Sequence, residues 1–350
     1  MTMKKFKIAI VLIAFVFAFV LLFVCYDCVA KGVTSGLYLC SNVIIPTLFP
    51  LLCLNSFFIN TGVVEFFQKH FNKFCKRFFN LSGYFLPIFL ISLISSYPVG
   101  AFLSNTLYEN KKISLLERNN IALISCSAGP SFVVLAVGVN ILKSFECGVL
   151  LLVCHILSSL TVAVLISRRF EFSGSFCASQ QKISVSDALV KGVAAGSNSI
   201  ISICAYTILF SAIINILSTF LRFTPMFLPL VCTLEVTNAC VVLGFEKASL
   251  SVICAVLGFG GFSIIFQVSS MLKNNRPPLL RLILVRIFHA AVSFLYCEIG
   301  LKFFKITIPV LKSTTPIAGV SNNNILFPLS LILLAIVFLN FLNNSIKQEI

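Results

Sequence analysis

The sequence predicts an all-α polytopic membrane protein with about eight transmembrane helices, two re-entrant hairpins and an inverted-repeat, transporter-like plan. Three observations predict it. Of the 350 residues, 59% are hydrophobic and only 11% are charged, with a mean hydropathy of +1.04; a soluble domain carries about 25% charged residues. No water-facing fold hides so much apolar surface, whereas lipid accepts it. Several apolar runs reach the roughly 20 residues a helix needs to cross hydrocarbon, and such a helix satisfies its own backbone. The alternation of a membrane barrel is missing. Finally, most of the Lys and Arg behind the net charge of +15 lie on short segments between apolar runs. There they set topology rather than bind nucleic acid.

The elements follow in order. The first span, 8–24, comes after Lys4, Lys5 and Lys7 and lacks a small-x-small cleavage site, so it reads as a retained helix and not a signal peptide. Further spans lie at 37–58, 119–142, 147–166, 188–217, 250–271, 283–301 and 325–342. Two apolar stretches, 83–103 and 226–245, carry a polar interruption and read as hairpins that enter and leave on one side. Over 63–79, Phe66, Phe67, His70, Phe71, Phe74 and Phe78 alternate with Glu65, Gln68, Lys69, Lys73, Lys76 and Arg77. That is an interfacial amphipathic helix suited to anionic lipid; a calmodulin-like partner is the weaker alternative. With the amino terminus inside, nineteen Lys and Arg fall on cytoplasmic segments and seven outside. Counting either hairpin as one crossing spoils that split, so both termini are expected in the cytoplasm.

The chain also repeats itself. Phe85-Leu86-Pro87 opens the first hairpin and Phe227-Leu228-Pro229 the second. Each is followed by a polar break: Ser95-Ser96-Tyr97-Pro98-Val99-Gly100, then Glu235-Val236-Thr237-Asn238. Each is then followed by a span with a second break: Ser127-Ala128-Gly129-Pro130-Ser131, then Gly258-Phe259-Gly260-Gly261-Phe262-Ser263. The first copy starts with an out-to-in span and the second with an in-to-out span, so the copies are inverted, as in many carriers. The expected units are a helix and connector (1–36), a first repeat (37–167), a cytoplasmic linker (168–187), a second repeat (188–305), and a loop with a last helix (306–350).

Four stretches together resemble the sporulation integral membrane protein YlbJ family: Pro46-Thr47-Leu48-Phe49-Pro50, Ser96-Tyr97-Pro98-Val99-Gly100-Ala101, Gly129-Pro130-Ser131-Phe132, and Leu257 to Ser263 with Gln267. The likeness runs from about residue 37 to 305. It departs at Ser96, where the family pattern has Gly, and at Ala128-Gly129-Pro130, where it has Asn. The resemblance implies two Gate-like (nucleoside-recognition) repeats, similar to part of the concentrative nucleoside carriers. It also implies a role late in endospore formation in Firmicutes, and passage of dipicolinic acid across a forespore membrane.

Glu235 is the sharpest single feature, because a carboxylate at membrane depth is expensive. It couples to a proton or cation, pairs with Arg286, or is wet at a shallow tip. Pro98, Gly100, Gly129 and Pro130 unwind their helices, and the helix that restarts beyond a break presents N–H groups that favour anions. Ser95, Ser96, Ser127, Ser131, Thr237, Asn238, Ser263 and Gln267 add hydrogen-bonding groups, and Gly258, Gly260 and Gly261 open the last break. Against this stands simple kinking and small-residue packing. Arg281 and Arg286 read equally as snorkelling ends. His155 and His289 lack a partner at metal-ligand spacing, and the 14 Cys read as small buried hydrophobes. No catalytic triad, phosphate loop or cofactor motif appears, so the chain is not expected to be an enzyme. The expected partners are a small anionic solute, the bilayer and a coupling proton or cation; the oligomer stays open. A membrane scaffold for sporulation or a nucleoside-type carrier is the alternative.

Overall fold

The computed structural model describes residues 3–60, 63–169, 184–246, 248–272 and 274–304. The expected span 325–342 and most of the linker 168–187 lie outside the described residues. Regular structure among the described residues is helical throughout. The order is α1 (Met3–Val24), α2 (Tyr26–Leu39), a π-helical turn (Cys40–Ile44), α3 (Ile45–Asn60), α4 (Val63–Phe79), α5 (Phe85–Ile94), α6 (Val99–Glu109), α7 (Leu115–Ile124), a π-helical segment (Ser131–Ile141) and α8 (Phe145–Ser167). After the linker come α9 (Val185–Leu221), α10 (Phe227–Leu234), α11 (Val236–Phe245), α12 (Leu250–Phe259), α13 (Gly261–Met271) and α14 (Leu279–Phe303).

Four helical stretches among the described residues are long and apolar enough to cross a membrane: Phe145–Ser167, Val185–Leu221, Leu250–Met271 and Leu279–Phe303. A fifth arises if Leu48–Ile59 and Val64–Phe79, bent by 77°, are taken as one. Of the eight expected spans, 325–342 lies outside the described residues, 8–24 lies on α1, and polar breaks and a π-helical turn divide others into shorter helices. The crossing expected at 37–58 begins at Tyr26 and runs as α2, a π turn and α3. Pro46 has no N–H to return to Asn42, and the chain takes up the slack with a wider turn in which the Ile45 N–H reaches Cys40 O. The crossing expected at 119–142 is two pieces, α7 and the π-helical segment, divided at 125–130.

Helix starts follow local chemistry. Ser114, Ser144, Ser184 and Ser249 each accept a first-turn N–H of α7, α8, α9 and α12. Pro98, Pro130 and Pro278 precede α6, the π-helical segment and α14, where a missing N–H costs nothing. Helix α9 packs along α2 and α3 through small residues. A Cβ on Gly32 would lie 2.5 Å from Ala212 Cα, and one on Gly196 would lie 2.7 Å from Cys53 Sγ.

Polarity is distributed for lipid rather than water. Leu157, Leu165, Ile201, Leu209, Leu284 and Leu295 face outward, whereas Arg118, Arg286, His155, His289 and Ser158 are buried. Water would leave such a belt uncovered; a bilayer covers it. The chain is an integral membrane protein.

Two groups of contacts join elements distant in sequence. In one, Lys112 pairs with Glu65 of α4, the Ser82 N–H donates to Glu117, and the buried Arg118 donates to Asn274 O and Asn275 O at 2.9 and 2.8 Å. In the other, Gly244 of α11 packs against Ile141 and Leu142. The expected interfacial helix is α4, with Phe66, Phe71, Phe74 and Phe78 exposed and Val64, Cys75 and Phe79 buried.

Candidate functional site

The interruptions are locked together by backbone contacts. In the first half α5 ends at Ile94, and α6 restarts after Pro98. A Cβ on Gly100 would lie 1.9 Å from Ser125 O, and one on Gly129 would lie 2.1 Å from Ser95 O. The break at 95–98 and the break at 125–130 therefore interlock where only glycine fits. In the second half the extended residue Glu235 alone separates α10 from α11. Gly260 and Gly261, with φ of +82° and +81°, separate α12 from α13; an L side chain pays roughly 1–2 kcal/mol for each such conformation. A Cβ on Gly261 would lie 2.9 Å from Leu234 O, at the end of α10.

Two buried charges serve the helix ends so created. Glu235, 3% exposed, accepts the Asn238 N–H and the Asn238 Nδ2–H, both at 2.8 Å. It caps the positive end of α11. Arg286, 1% exposed, donates from Nε to Phe259 O at 2.9 Å and from Nη1 to Cys126 O. Those carbonyls are the last of α12 and one in the break just beyond α7, so the guanidinium sits at the negative end of α12 and close to that of α7. Arg286 neither pairs with Glu235 nor snorkels, the two roles its sequence position allowed. The breaks leave carbonyls inside the molecule that need a donor, and Arg286 supplies it.

A polar chain continues from there. Arg286 Nη1 donates to His289 Nδ1 at 3.0 Å, which leaves Nε2 as the proton-bearing nitrogen facing Ser158 Oγ, also at 3.0 Å. Ser158 meets Ser293 at 2.8 Å. His289 stacks on His155 with centroids 4.9 Å apart, and His155 Nε2 accepts the Ala128 N–H at 2.9 Å. Both histidines are thus hydrogen-bonded packing residues, and among the described residues no group of three or more His, Cys, Asp or Glu is placed to hold a metal ion. Tyr97 donates to Leu257 O at 2.9 Å, linking the first half to the second. The Arg286 guanidinium lies 5.6 Å from the centre of its ring.

Tyr97 also lines a cavity of about 70 Å³, room for several waters at about 10–15 Å³ each. Its walls include Ser95, Ser96, Tyr97 and Ser131 from the first half, and Glu235, Thr237 and Gln267 from the second. Ile44, Leu48, Phe132, Ile203, Thr207, Val236 and Ile264 complete it. Glu235 is the one charged side chain among these. The other sequence candidates sit behind the wall. Pro98, Gly100, Gly129 and Pro130 shape the breaks, Asn238 holds Glu235, and Ser263 accepts from Gln267 at 3.2 Å. Ser127, in the break, packs against α8 3.1 Å from Ser159 Oγ, and Gly258 lies inside α12 against Ala290 and Ser293 of α14. Gly260 and Gly261 form the turn beneath. Sequence reasoning missed Tyr97 and the Arg286 network; Arg286 and His289 at i and i+3 in an apolar run was the available signal.

No family model matches the chain, and no solved structure does. The chain is similar to the sporulation integral membrane protein YlbJ of Bacillus subtilis (strain 168), at 28% identity over 130 residues. That match covers 37% of this chain and 32% of that protein's length. This membrane protein therefore has a distant homologue among sporulation proteins.

Proposed function

We propose that this protein carries a small anionic solute across a membrane, with dipicolinic acid as the solute and the forespore membrane as its place. The observation that carries the reading is one cavity walled by the interruptions of both halves. Carriers built from inverted repeats hold substrate where broken helices meet. The order of elements supports a repeat: with α4 set aside, a long helical stretch, two short arms about a polar break, a broken helix and another long helix occur twice. Gly129 and Gly261 occupy matching places, each with its Cα against the end of the first short arm. In this reading the two Gate-like halves are inverted, the short arms are re-entrant, both termini are cytoplasmic, and one half rocks against the other. The end holding Glu65, Lys112 and Arg118 then faces the cytoplasm.

A carboxylate in the wall repels an anion, so Glu235 takes up a proton or a cation when the solute enters. This is the coupling step, and it requires no enzyme chemistry. The test is uptake of labelled dipicolinate by liposomes holding the pure protein, with nucleosides as competitors. Uptake that Glu235→Gln abolishes while folding is kept supports the carrier. Absence of uptake under every imposed gradient, or sporulating cells with Glu235→Gln that accumulate normal cargo, favours a scaffold. Preference for nucleosides over dipicolinate replaces the solute and keeps the carrier.

A further inference from the structure

Three of the five N–H donors of Arg286 are engaged or aligned through Nε and Nη1, but Nη2 has no hydrogen-bond partner although it is buried. A guanidinium donor in a dry site without an acceptor is costly. Nη2 points to the turn between α12 and α13: it lies 3.4 Å from where a Cβ of Gly260 would be. Helix α13 starts there, eleven residues long, with no side-chain cap on its first turn. The N-terminus of α11 is closed to an anion because Glu235 already caps it. The N-terminus of α13 has instead a buried cationic donor beside it. Tyr97 adjoins both this place and the cavity. It lines the cavity, the guanidinium lies over its ring, and its hydroxyl is tethered to Leu257 O.

We propose that the spare Nη2 of Arg286 and the uncapped first turn of α13 form the receptor for a carboxylate of the solute, and that Tyr97 is the door between this receptor and the cavity. The inference rests on the carrier reading and names the site's countercharge. An anion that enters meets Glu235 first, and passes it when Glu235 is neutralised. When Tyr97 swings from Leu257 O, one carboxylate reaches Nη2 and the helix end. The carboxylate supplies the acceptor that Nη2 lacks, which is why the guanidinium tolerates its incomplete set of bonds. Selectivity follows: a neutral solute of the same shape offers an amide oxygen without the countercharge and gains less than a carboxylate does.

The experiment is equilibrium binding of dipicolinate, and of its neutral diamide, to the full chain in nanodiscs, beside uptake by the wild type in liposomes. Wild-type protein prefers the dianion. Arg286→Gln weakens dianion binding about 30-fold, equivalent to the roughly 2 kcal/mol of one charge-assisted hydrogen bond, and weakens diamide binding less. If Arg286→Gln does not fold, Arg286→Lys decides. With the charge kept it still prefers the dianion, and equal binding of both ligands would overturn the receptor. Tyr97→Phe, freed from Leu257 O, exchanges the dianion faster; unchanged or slower exchange overturns the door. Wild-type uptake together with an Arg286→Gln variant that keeps its preference sinks this inference alone. Wild-type protein that neither binds nor moves dipicolinate sinks the dipicolinate reading as well.

Discussion

At the scale of single residues, the breaks depend on glycines that touch backbone rather than side chains. Gly100 has a carbonyl oxygen, Ser125 O, where its Cβ would be, at 1.9 Å, and a backbone oxygen cannot swing aside. Gly100→Ala is expected to cost about 3 kcal/mol or more, read as the midpoint of denaturant unfolding in detergent. Glu235 behaves differently. A glutamine there still offers an oxygen to the Asn238 N–H, so Glu235→Gln is expected to shift stability by less than about 1 kcal/mol, whereas Glu235→Ala loses the cap and costs about 0.5–2 kcal/mol. The same unfolding measurement on both variants separates charge from cap. His155→Leu removes the acceptor of the buried Ala128 N–H, at an expected cost of about 1–3 kcal/mol. The break residues were legible in the sequence because Pro, Gly and a lone Glu stand out in apolar runs. Tyr97 and Arg286 were not. Tyr97 looks like one more aromatic in an apolar protein, and Arg286 near a helix start has the same local signature whether it snorkels or turns inward. What decides is the three-dimensional arrival of Cys126 O and Phe259 O, which no local window contains.

At the scale of elements, the long apolar helices were plain from composition, and so was α4. Its Phe stripe and basic stripe share one period, and the structure leaves Phe66, Phe71, Phe74 and Phe78 exposed. A spin label at residue 74 is expected to relax with oxygen, and one at residue 73 with a water-soluble nickel chelate. Equal access of nickel to both would place α4 in water instead of at the membrane interface. The split of expected crossings was less legible. A hydropathy window averages over Ser125 to Pro130 and sees one run, while the chain divides it into α7 and the π-helical segment. The small-residue seams of α9 went unread in the sequence, although Gly32 and Gly36 on α2 and Gly192 and Gly196 on α9 itself are each four residues apart. Such spacing lets helices approach closely. Gly196→Leu is expected to cost roughly 1–3 kcal/mol by overpacking against Cys53, measured by the same unfolding assay.

At the scale of the whole molecule, the charge count along the sequence sorted loops into two sets, and contacts bring members of one set together: Glu65 with Lys112, and Arg118 with the turn at 274–275. A cysteine placed at residue 111 and one at residue 276 should therefore react with an impermeant thiol reagent from the same side, and one at residue 143 from the other. Labelling of all three from one side would dismantle the topology. The arrangement of Glu235 and Arg286 has a larger consequence. Each is fastened to helix termini, and neither is released by the other. Side chains held in this way do not cross with the cargo, so whatever net charge the cargo and its coupling ion bring is the charge that moves. A dianion crossing without compensation feels the membrane voltage at about 2.3 kcal/mol per charge per 100 mV. Its flux should then climb steeply with a potassium diffusion potential, positive on the receiving side. Flux indifferent to that potential would mean that two protons or their equivalent travel with each molecule.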